Sequence, residues 1–344
     1  MPDIEAITLM QQVARRWARQ RFATSQPQMK VVSDNEMRGS LLGELFEQGW
    51  LPESLDDWGG ATALTLARLG EALSPDATAA FMPILTHCLG LHLFRNGPRY
   101  GGAAGVQRGL IAASPYIDYS KISSRLVAKK SDSGWILSGQ TPWVVNFGIA
   151  QRMVVVAREA SGQVTLFNVD LPQAGCMASV PLSVFGLCSS PIHHVELSSV
   201  ALYEKDVIAR DRDAQESLNE GYRVARWGTL GLVVGLVRSL LKQATDYSTL
   251  RRQGGRPIIE HPAVRQLIDT ARSTVDFLGQ LLARLESVPL MECPIAEVRQ
   301  QALVATDSAL QVFGGSGYMC PGLPEQCWRD VRQAVTLCNP STVV

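Results

Sequence analysis

The sequence contains no stretch of about 18 consecutive apolar residues, so no membrane-spanning helix is expected. Neither sign of charge is in excess, because 32 Lys and Arg residues balance 32 Asp and Glu residues. Nucleic acids and anionic membrane surfaces are therefore not expected as main partners. The N-terminus carries Asp3 and Glu5 instead of a basic start followed by an apolar segment, so we expect no signal peptide.

Cysteine pairs are missing as well. The seven cysteines are scattered, their number is odd, and no CxxC pair is present. This pattern indicates neither a disulfide framework nor a zinc site, so we expect no metal and a reducing, cytoplasmic location. The 344 residues are 46% hydrophobic and 19% charged, which is typical of a soluble protein with two or three packed regions.

The spacing of apolar residues changes twice along the chain and predicts three domains. Residues 1–110 have helical spacing, residues 111–211 contain short β-prone runs, and residues 212–344 return to long helical stripes. The β-prone runs are 135–137, 152–156, 164–167 and 194–197. Because glycine and proline separate these runs, a compact antiparallel β domain is expected. The longest stripe runs from Leu230 to Ala244 and predicts a largely buried helix. The fold class is therefore α+β.

The most informative motif lies where a predicted helix ends in a glycine pair. It reads Gln311-Val312-Phe313-Gly314-Gly315-Ser316-Gly317-Tyr318, followed by Pro324-Glu325 and Arg329-Asp330. Gly314 and Gly315 permit positive φ and close approach of a ligand or a neighbouring chain, although a glycine pair also commonly ends a helix. Gln311 brings an amide that can pair with the edge of a heterocycle. The whole motif resembles the signature of the acyl-CoA dehydrogenase flavoprotein family.

The resemblance covers about residues 40–335 and implies a helical N-terminal domain, a central antiparallel β domain and a C-terminal four-helix bundle. Ser138–Asn146 is similar to the family's N-G-x-K-x-W-I-T-N, with Val145 in place of the usual Thr or Ser. The resemblance implies FAD as the cofactor, with Trp143 beside the flavin ring and the backbone at Val145 and Asn146 near its polar edge. Packing in the core is the alternative for Trp143.

A second segment, Tyr247–Pro257 followed by Glu260-His261, resembles the family's Y-A-x-E-R-x-x-F-G-x-x-x-x-E-H-Q. The resemblance implies that Arg251 reaches the FAD pyrophosphate of a neighbouring subunit, as the fork of a guanidinium suits. Gln311 and Gly314-Gly315 would complete that cradle. A homo-oligomer, or a hetero-oligomer with an acyl-CoA dehydrogenase subunit, is therefore expected. The alternative for Arg251 is a solvated cation near a helix C-terminus.

Departures from the family pattern lie on the substrate side. Arg226 falls where the family keeps an arginine near the substrate pocket, and a surface salt bridge is its alternative. The family's T-E-P-x-A-G-S-D loop is replaced by Ala113–Ser120, which keeps only Pro115 and adds the bulk of Tyr116. Tyr119, in the same loop, is the other candidate substrate contact.

The usual catalytic base is also replaced. Desaturation needs a carboxylate that takes the α-proton. The family's Glu falls on Cys338 and the second family position falls on Ala225, so neither position supplies a carboxylate. Cys338 is the candidate catalytic residue by position, with a buried free cysteine as the alternative. Nearby acidic residues, with surface or capping roles as the alternative, are Glu220, Asp246 and Glu260. We expect the family's closing helix to be missing, since the sequence ends at Val344.

Three functions are compatible with these features. The first is an FAD-dependent acyl-CoA dehydrogenase-like oxidoreductase that desaturates a CoA or carrier-protein thioester. The second is a non-catalytic or half-site subunit of a heteromeric acyl-CoA dehydrogenase. The third is a flavin-dependent oxidase or oxygenase of the same fold. The missing carboxylate favours the second function, and the resemblance to the family keeps the first function as an alternative.

Overall fold

A computed structural model describes residues 3–22, 35–58, 61–74, 76–95, 97, 109–116, 125–288, 291–320 and 322–337. Its elements follow the predicted order of helices, strands and helices. The domain boundaries at residues 110 and 211 stay predictions, although the strands lie between Ile111 and Arg210.

The first region consists of helices. They are α1 (Ile4–Phe22), α2 (Asn35–Glu47), α3 (Thr62–Leu73) and α4 (Thr78–Phe94). Helix α4 is apolar on all sides, and every residue in it except Ala79 is buried. A helix of this composition must be covered on every side, and α4 therefore forms the centre of the N-terminal region.

The central region is one eight-stranded sheet. Its strands are β1 (Ile111–Ala112), β2 (Leu126–Ser131), β3 (Gly134–Val145), β4 (Arg152–Glu159), β5 (Val164–Asp170), β6 (Cys176–Ala178), β7 (Ile192–Leu202) and β8 (Val207–Arg210). The order is β6-β7-β3-β2-β4-β5-β8, and β1 pairs with β4. All four β-prone runs lie in strands. The sheet is mixed rather than wholly antiparallel, because both β1 and β2 pair with β4 in parallel.

The last region consists mainly of long helices. They are α5 (Asp211–Leu250), α6 (Pro262–Ser287), α7 (Ile295–Gln311) and α8 (Leu323–Ala334), with a short hairpin of β9 (Arg252–Gln253) and β10 (Arg256–Pro257) after α5. The predicted stripe on α5 is buried from Leu230 to Ala244, apart from a half-buried Leu241. Helix α5 is long and apolar enough to cross a membrane, but 83% of its most apolar window is buried inside the protein.

Helix α5 packs against α3 and α4 as well as against the other C-terminal helices, so it joins the two helical regions. Its contact with α3 depends on glycine, because a Cβ at Gly231 would overlap the carbonyl oxygen of Ala67. An ionic cluster reinforces the same junction. The buried Glu71 carboxylate of α3 accepts hydrogen bonds from Gln11, Arg15, Arg68 and Arg238, which lie on α1, α3 and α5.

Candidate cofactor site

Trp143, the predicted flavin neighbour, has an unusual backbone conformation. Its φ is 56°, a left-handed value that is rare for a bulky residue. It lies where the register between β3 and β7 shifts, between the pairs of Thr141 and Val144. The bulge turns the half-buried indole away from the regular alternation of the strand. Strain of this kind is often kept at ligand sites. Trp143 also packs against the main hydrophobic core, as the alternative expected, and its flavin contact stays a prediction.

Val145 and Asn146 are committed to structural contacts. Val145 is buried, and its amide donates to the carbonyl of Ala113 at 2.9 Å. The Asn146 side-chain amide donates to the carbonyls of Pro83 at 3.2 Å and Ile111 at 3.1 Å. Asn146 therefore ties the end of β3 to α4 and β1. Their predicted cofactor contacts stay predictions.

An open depression adjoins the turn after β3. It is lined by Leu41, Leu42, Ala79, Pro83, Asn146, Phe147, Gly148, Ile149, Ser189, Ser190, Pro191 and His193. Two hydroxyls, an imidazole and an amide thus lie in a mostly apolar surface, a composition typical of small-molecule sites. His193 already bonds the carbonyl of Ser179 through Nδ1, at 2.9 Å.

One wall of this depression is held by the Arg329-Asp330 pair of α8, whose role the sequence did not reveal. The buried Asp330 carboxylate accepts the backbone N–H of Leu187 at 2.6 Å. Arg329 donates to the carbonyl of Phe185 at 2.8 Å. Burial raises the pKa of Asp330 to about 6. The pair was visible in the motif, but its partners lie more than 140 residues away in sequence.

The other predicted cofactor residues form a second group at the far end of α5. Tyr247 of α5 stacks on Phe313, which follows α7, with ring centroids 4.9 Å apart. This contact brings the turn at Arg251 close to the glycine turn at Gly314. Arg251 is exposed, and its guanidinium makes no ion pair or hydrogen bond within the described part of the chain.

The glycine turn itself is open. Gly314 has φ of 55°, and a Cβ at Gly314 or Gly315 would meet nothing within 4 Å. Gln311 is exposed, and its Oε1 accepts the hydroxyl of Tyr318 at 3.2 Å, which leaves its NH₂ for a ligand. A guanidinium, an amide and accessible backbone are therefore exposed on two segments that the Tyr247–Phe313 contact joins. This donor set fits the two charges of a pyrophosphate.

The two groups are separate within one chain. Among the residues that the structure describes, no hydrogen bond or ring contact joins Trp143–Asn146 to Arg251, Gln311 or Gly314-Gly315. The resemblance implied a site shared between subunits, and the placement of the two groups is compatible with it.

The substrate side is closely packed. Arg226 is buried, and its guanidinium lies 3.9 Å from the exposed carboxylate of Glu292. Ala225 is fully buried and offers no carboxylate. Tyr116, from the altered loop, packs into the hydrophobic core. Tyr119 and Cys338 lie outside the described residues, so their predicted roles stay predictions.

The acidic residue nearest in sequence to Arg226 is not a free base. Glu220 forms two hydrogen bonds with Arg223, at 2.8 and 2.9 Å. These bonds lower the pKa of Glu220. A lowered pKa suits an ion pair better than proton abstraction.

Comparisons with known proteins support the resemblance. The sequence profile of the acyl-CoA dehydrogenase C-terminal domain matches residues 215–336. A 3-(aryl)acrylate reductase of Clostridium sporogenes is 22% identical over 219 residues, which are 60% of this chain and 58% of the reductase. The match thus spans less than two thirds of that relative.

Two solved structures have the same fold. A glutaryl-CoA dehydrogenase from Mycobacterium smegmatis in complex with FADH2 has a TM-score of 0.78 at 17% identity and covers 98% of this chain and 91% of its own. The prolyl acyl carrier protein oxidase AnaB has a TM-score of 0.79 at 14% identity, with coverage of 96% and 94%. Residues 215–336, which include Arg251 and Gln311, thus match the C-terminal domain of acyl-CoA dehydrogenases, and the chain shares its fold with the two solved structures.

Proposed function

We propose that the chain binds FAD and is an oxidoreductase of the acyl-thioester dehydrogenase type, with each cofactor held between two subunits. The observation that carries the proposal is an exposed Arg251 and an open Gly314-Gly315 turn on two segments that the Tyr247–Phe313 contact joins. Among the described residues the Arg251 guanidinium has no ion pair, and such an arginine, with backbone that leaves room for close approach, is suited to an anionic ligand.

The chain's own residues have distinct roles in this proposal. Arg251 and Gln311 would hold the pyrophosphate of the FAD, and Trp143 would flank the ring from the end of β3. When bound, FAD supplies the hydride acceptor for oxidation of a substrate C–C bond. Asn146 acts one step away, since its bonds to Pro83 and Ile111 fix the turn that carries Trp143.

The proposed substrate is an acyl thioester of CoA or of a carrier protein. Its support is the shared fold with a glutaryl-CoA dehydrogenase and a prolyl acyl carrier protein oxidase. Because the second of these proteins is an oxidase, an oxidase reaction is one of the outcomes that the test distinguishes. The two thioester classes are distinguished by offering the same acyl group on CoA and on a purified carrier protein.

A second candidate is a half-site subunit that donates Arg251 and Gln311 to a partner's FAD without turning over substrate. The specific observations in its favour are the buried Ala225 at a family position for the base and Tyr116 packed into the core. General-base catalysis typically contributes about 10²–10⁴-fold, so a chain without a base should be slow even with flavin bound.

The test starts from the purified chain and its visible spectrum, which shows whether flavin is bound. Anaerobic bleaching by a panel of acyl thioesters is then measured for the chain alone and for the chain co-expressed with a homologue that keeps the Glu. Rapid bleaching by the chain alone supports the self-sufficient oxidoreductase. Bleaching only in the mixed complex supports the half-site subunit, and reoxidation by air with peroxide release indicates an oxidase. A chain that never carries flavin in either preparation overturns the proposal.

A further inference from the structure

The loop before β7, residues 184–191, is fastened to α8 by several contacts of different kinds. Asp330 accepts the N–H of Leu187, and Arg329 donates to the carbonyl of Phe185. The ring of Phe185 also packs edge-on against Trp328, with centroids 5.7 Å apart. Between them, Gly186 lies so close to α8 that a Cβ there would overlap the carbonyl oxygen of Arg329.

The same loop forms one wall of the depression beside the turn after β3. Ser189, Ser190 and Pro191 line that depression opposite Asn146 and Phe147. Leu187 precedes this wall by two residues and is itself buried. Docking of Leu187 on α8 therefore fixes the chain just before this wall.

Among the groups in this contact, Asp330 carries the largest cost of burial. Its carboxylate is buried, and the charge-assisted bond from Leu187 and the neighbouring Arg329 offset only part of the cost of that burial. Arg329 does not act on Asp330 alone, because it also pairs with Glu325 at 2.7 Å.

The other ionisable groups near Asp330 do not offset the cost of burying its carboxylate. Cys327 of α8 is buried, which raises its pKa to about 12, so it stays neutral. Asp76, in the turn before α4, interacts with Cys327 and adds negative charge. In the loop, the Cys188 sulfur lies 3.8 Å from Arg329. No cation other than Arg329 is recorded as acting on Asp330 within the described residues.

We propose that Asp330 is a positioning residue that fastens the 184–191 loop, and with it the wall of the depression, onto α8, and that this attachment is stronger when its carboxyl is protonated than when it is ionised. This attachment shapes one wall of the depression from the C-terminal bundle, whichever cofactor or substrate the protein binds.

The direction follows from proton linkage. With the loop docked, the pKa of Asp330 is about 6, whereas an open loop would admit water and return the pKa toward its ordinary value. The docked form therefore binds the proton more tightly and is favoured at low pH. A difference of about two pKa units weakens docking by roughly 100-fold as pH rises from below 4 to above 6.

The test is amide hydrogen exchange of the full-length protein at pH 4.5 to 7.5, corrected for intrinsic exchange rates. Peptides from the 184–191 loop are compared with peptides from buried α5, which report global stability. We expect the protection of the wild-type loop relative to α5 to fall at least tenfold across this range. In Asp330→Asn, whose side-chain oxygen can still accept the Leu187 N–H, the loop should be protected equally at all pH values.

Asp269→Asn is the matched control, since Asp269 is exposed on α6 and, among the described residues, pairs only with Arg272. It should keep the wild-type pH dependence. Wild-type loop protection that follows α5 at every pH overturns the proposal without any variant, so the outcome does not rely on the folding of Asp330→Asn. The same conclusion follows if Asp330→Asn keeps the wild-type pH dependence.

Discussion

Replacing Arg251 by Ala tests the proposed cofactor cradle most directly. The side chain is exposed and has no partner among the described residues, so its loss should leave the fold intact. The backbone contribution survives the substitution, because Arg251 still donates its N–H to Tyr247 at 2.8 Å and still accepts from Ile258 at 2.8 Å. Surface substitutions of this kind usually change the free energy of unfolding by less than about 0.5 kcal/mol.

The expected effect on FAD is much larger. A hydrogen bond to a charged group contributes about 1.5–3 kcal/mol, and a guanidinium can bond two phosphate oxygens at once. Because about 1.4 kcal/mol corresponds to tenfold in affinity, the dissociation constant for FAD should rise by roughly 10- to 150-fold. Arg251→Lys keeps the charge but loses the fork, so its effect should be smaller than that of Arg251→Ala.

The assay is a titration of deflavinated protein with FAD, followed by flavin fluorescence or calorimetry. Arg272→Ala is the matched control, because Arg272 is an exposed arginine on α6 that pairs only with Asp269 within the described part of the chain. Equal affinities for wild type and Arg251→Ala would refute the cradle.

The sharing of the site between subunits can be tested by complementation. An Arg251→Ala chain is co-expressed with a Trp143→Ala chain, each with its own purification tag. If the two groups come from different subunits, a mixed dimer contains one doubly altered site and one intact site. In that case the mixed dimer binds flavin at its intact site. If both groups instead serve the same subunit's site, every site in the mixed dimer is altered and flavin binding is not recovered.

Three further outcomes are expected. Glu71→Gln should lower the free energy of unfolding by about 3 kcal/mol, and so the melting temperature by roughly 4 °C, because it removes the charge of a buried carboxylate that pairs with Arg15, Arg68 and Arg238. Glu216→Gln, in an exposed pair with Arg212, should leave the melting temperature unchanged, and equal melting for both variants would argue against a stabilising cluster. Gly231→Ala should destabilise the protein by about 3 kcal/mol or more, since α5 must move away from α3. Gly315→Ala, whose new methyl group would lie in open space, should not destabilise it, and melting curves of the two variants test this difference. The protein should sediment as a dimer or larger at micromolar concentration, and a monomer in analytical ultracentrifugation would contradict the oligomer prediction.

Much of the fold was predictable because it depends on local patterns. The change from helical to alternating spacing and back set the order of the regions, and all four β-prone runs became strands. The stripe on α5 predicted its own burial, because apolar residues at helical spacing must face a core. The motif around Gly314 predicted an open turn, since glycine is the residue that tolerates a φ of 55°.

The tertiary structure decided the features that join distant residues. Parallel pairing of β1 and β2 with β4 could not be read from alternation, which is the same for either strand direction. Asn146 matched a cofactor motif, yet its amide bonds two backbone carbonyls that only the folded chain brings to it. Asp330 was part of the sequence motif, but its buried hydrogen bond with Leu187 could not be predicted because the two residues are 143 positions apart. A sequence pattern reports which side chains a segment offers, whereas burial and partners depend on which other segments fold against it.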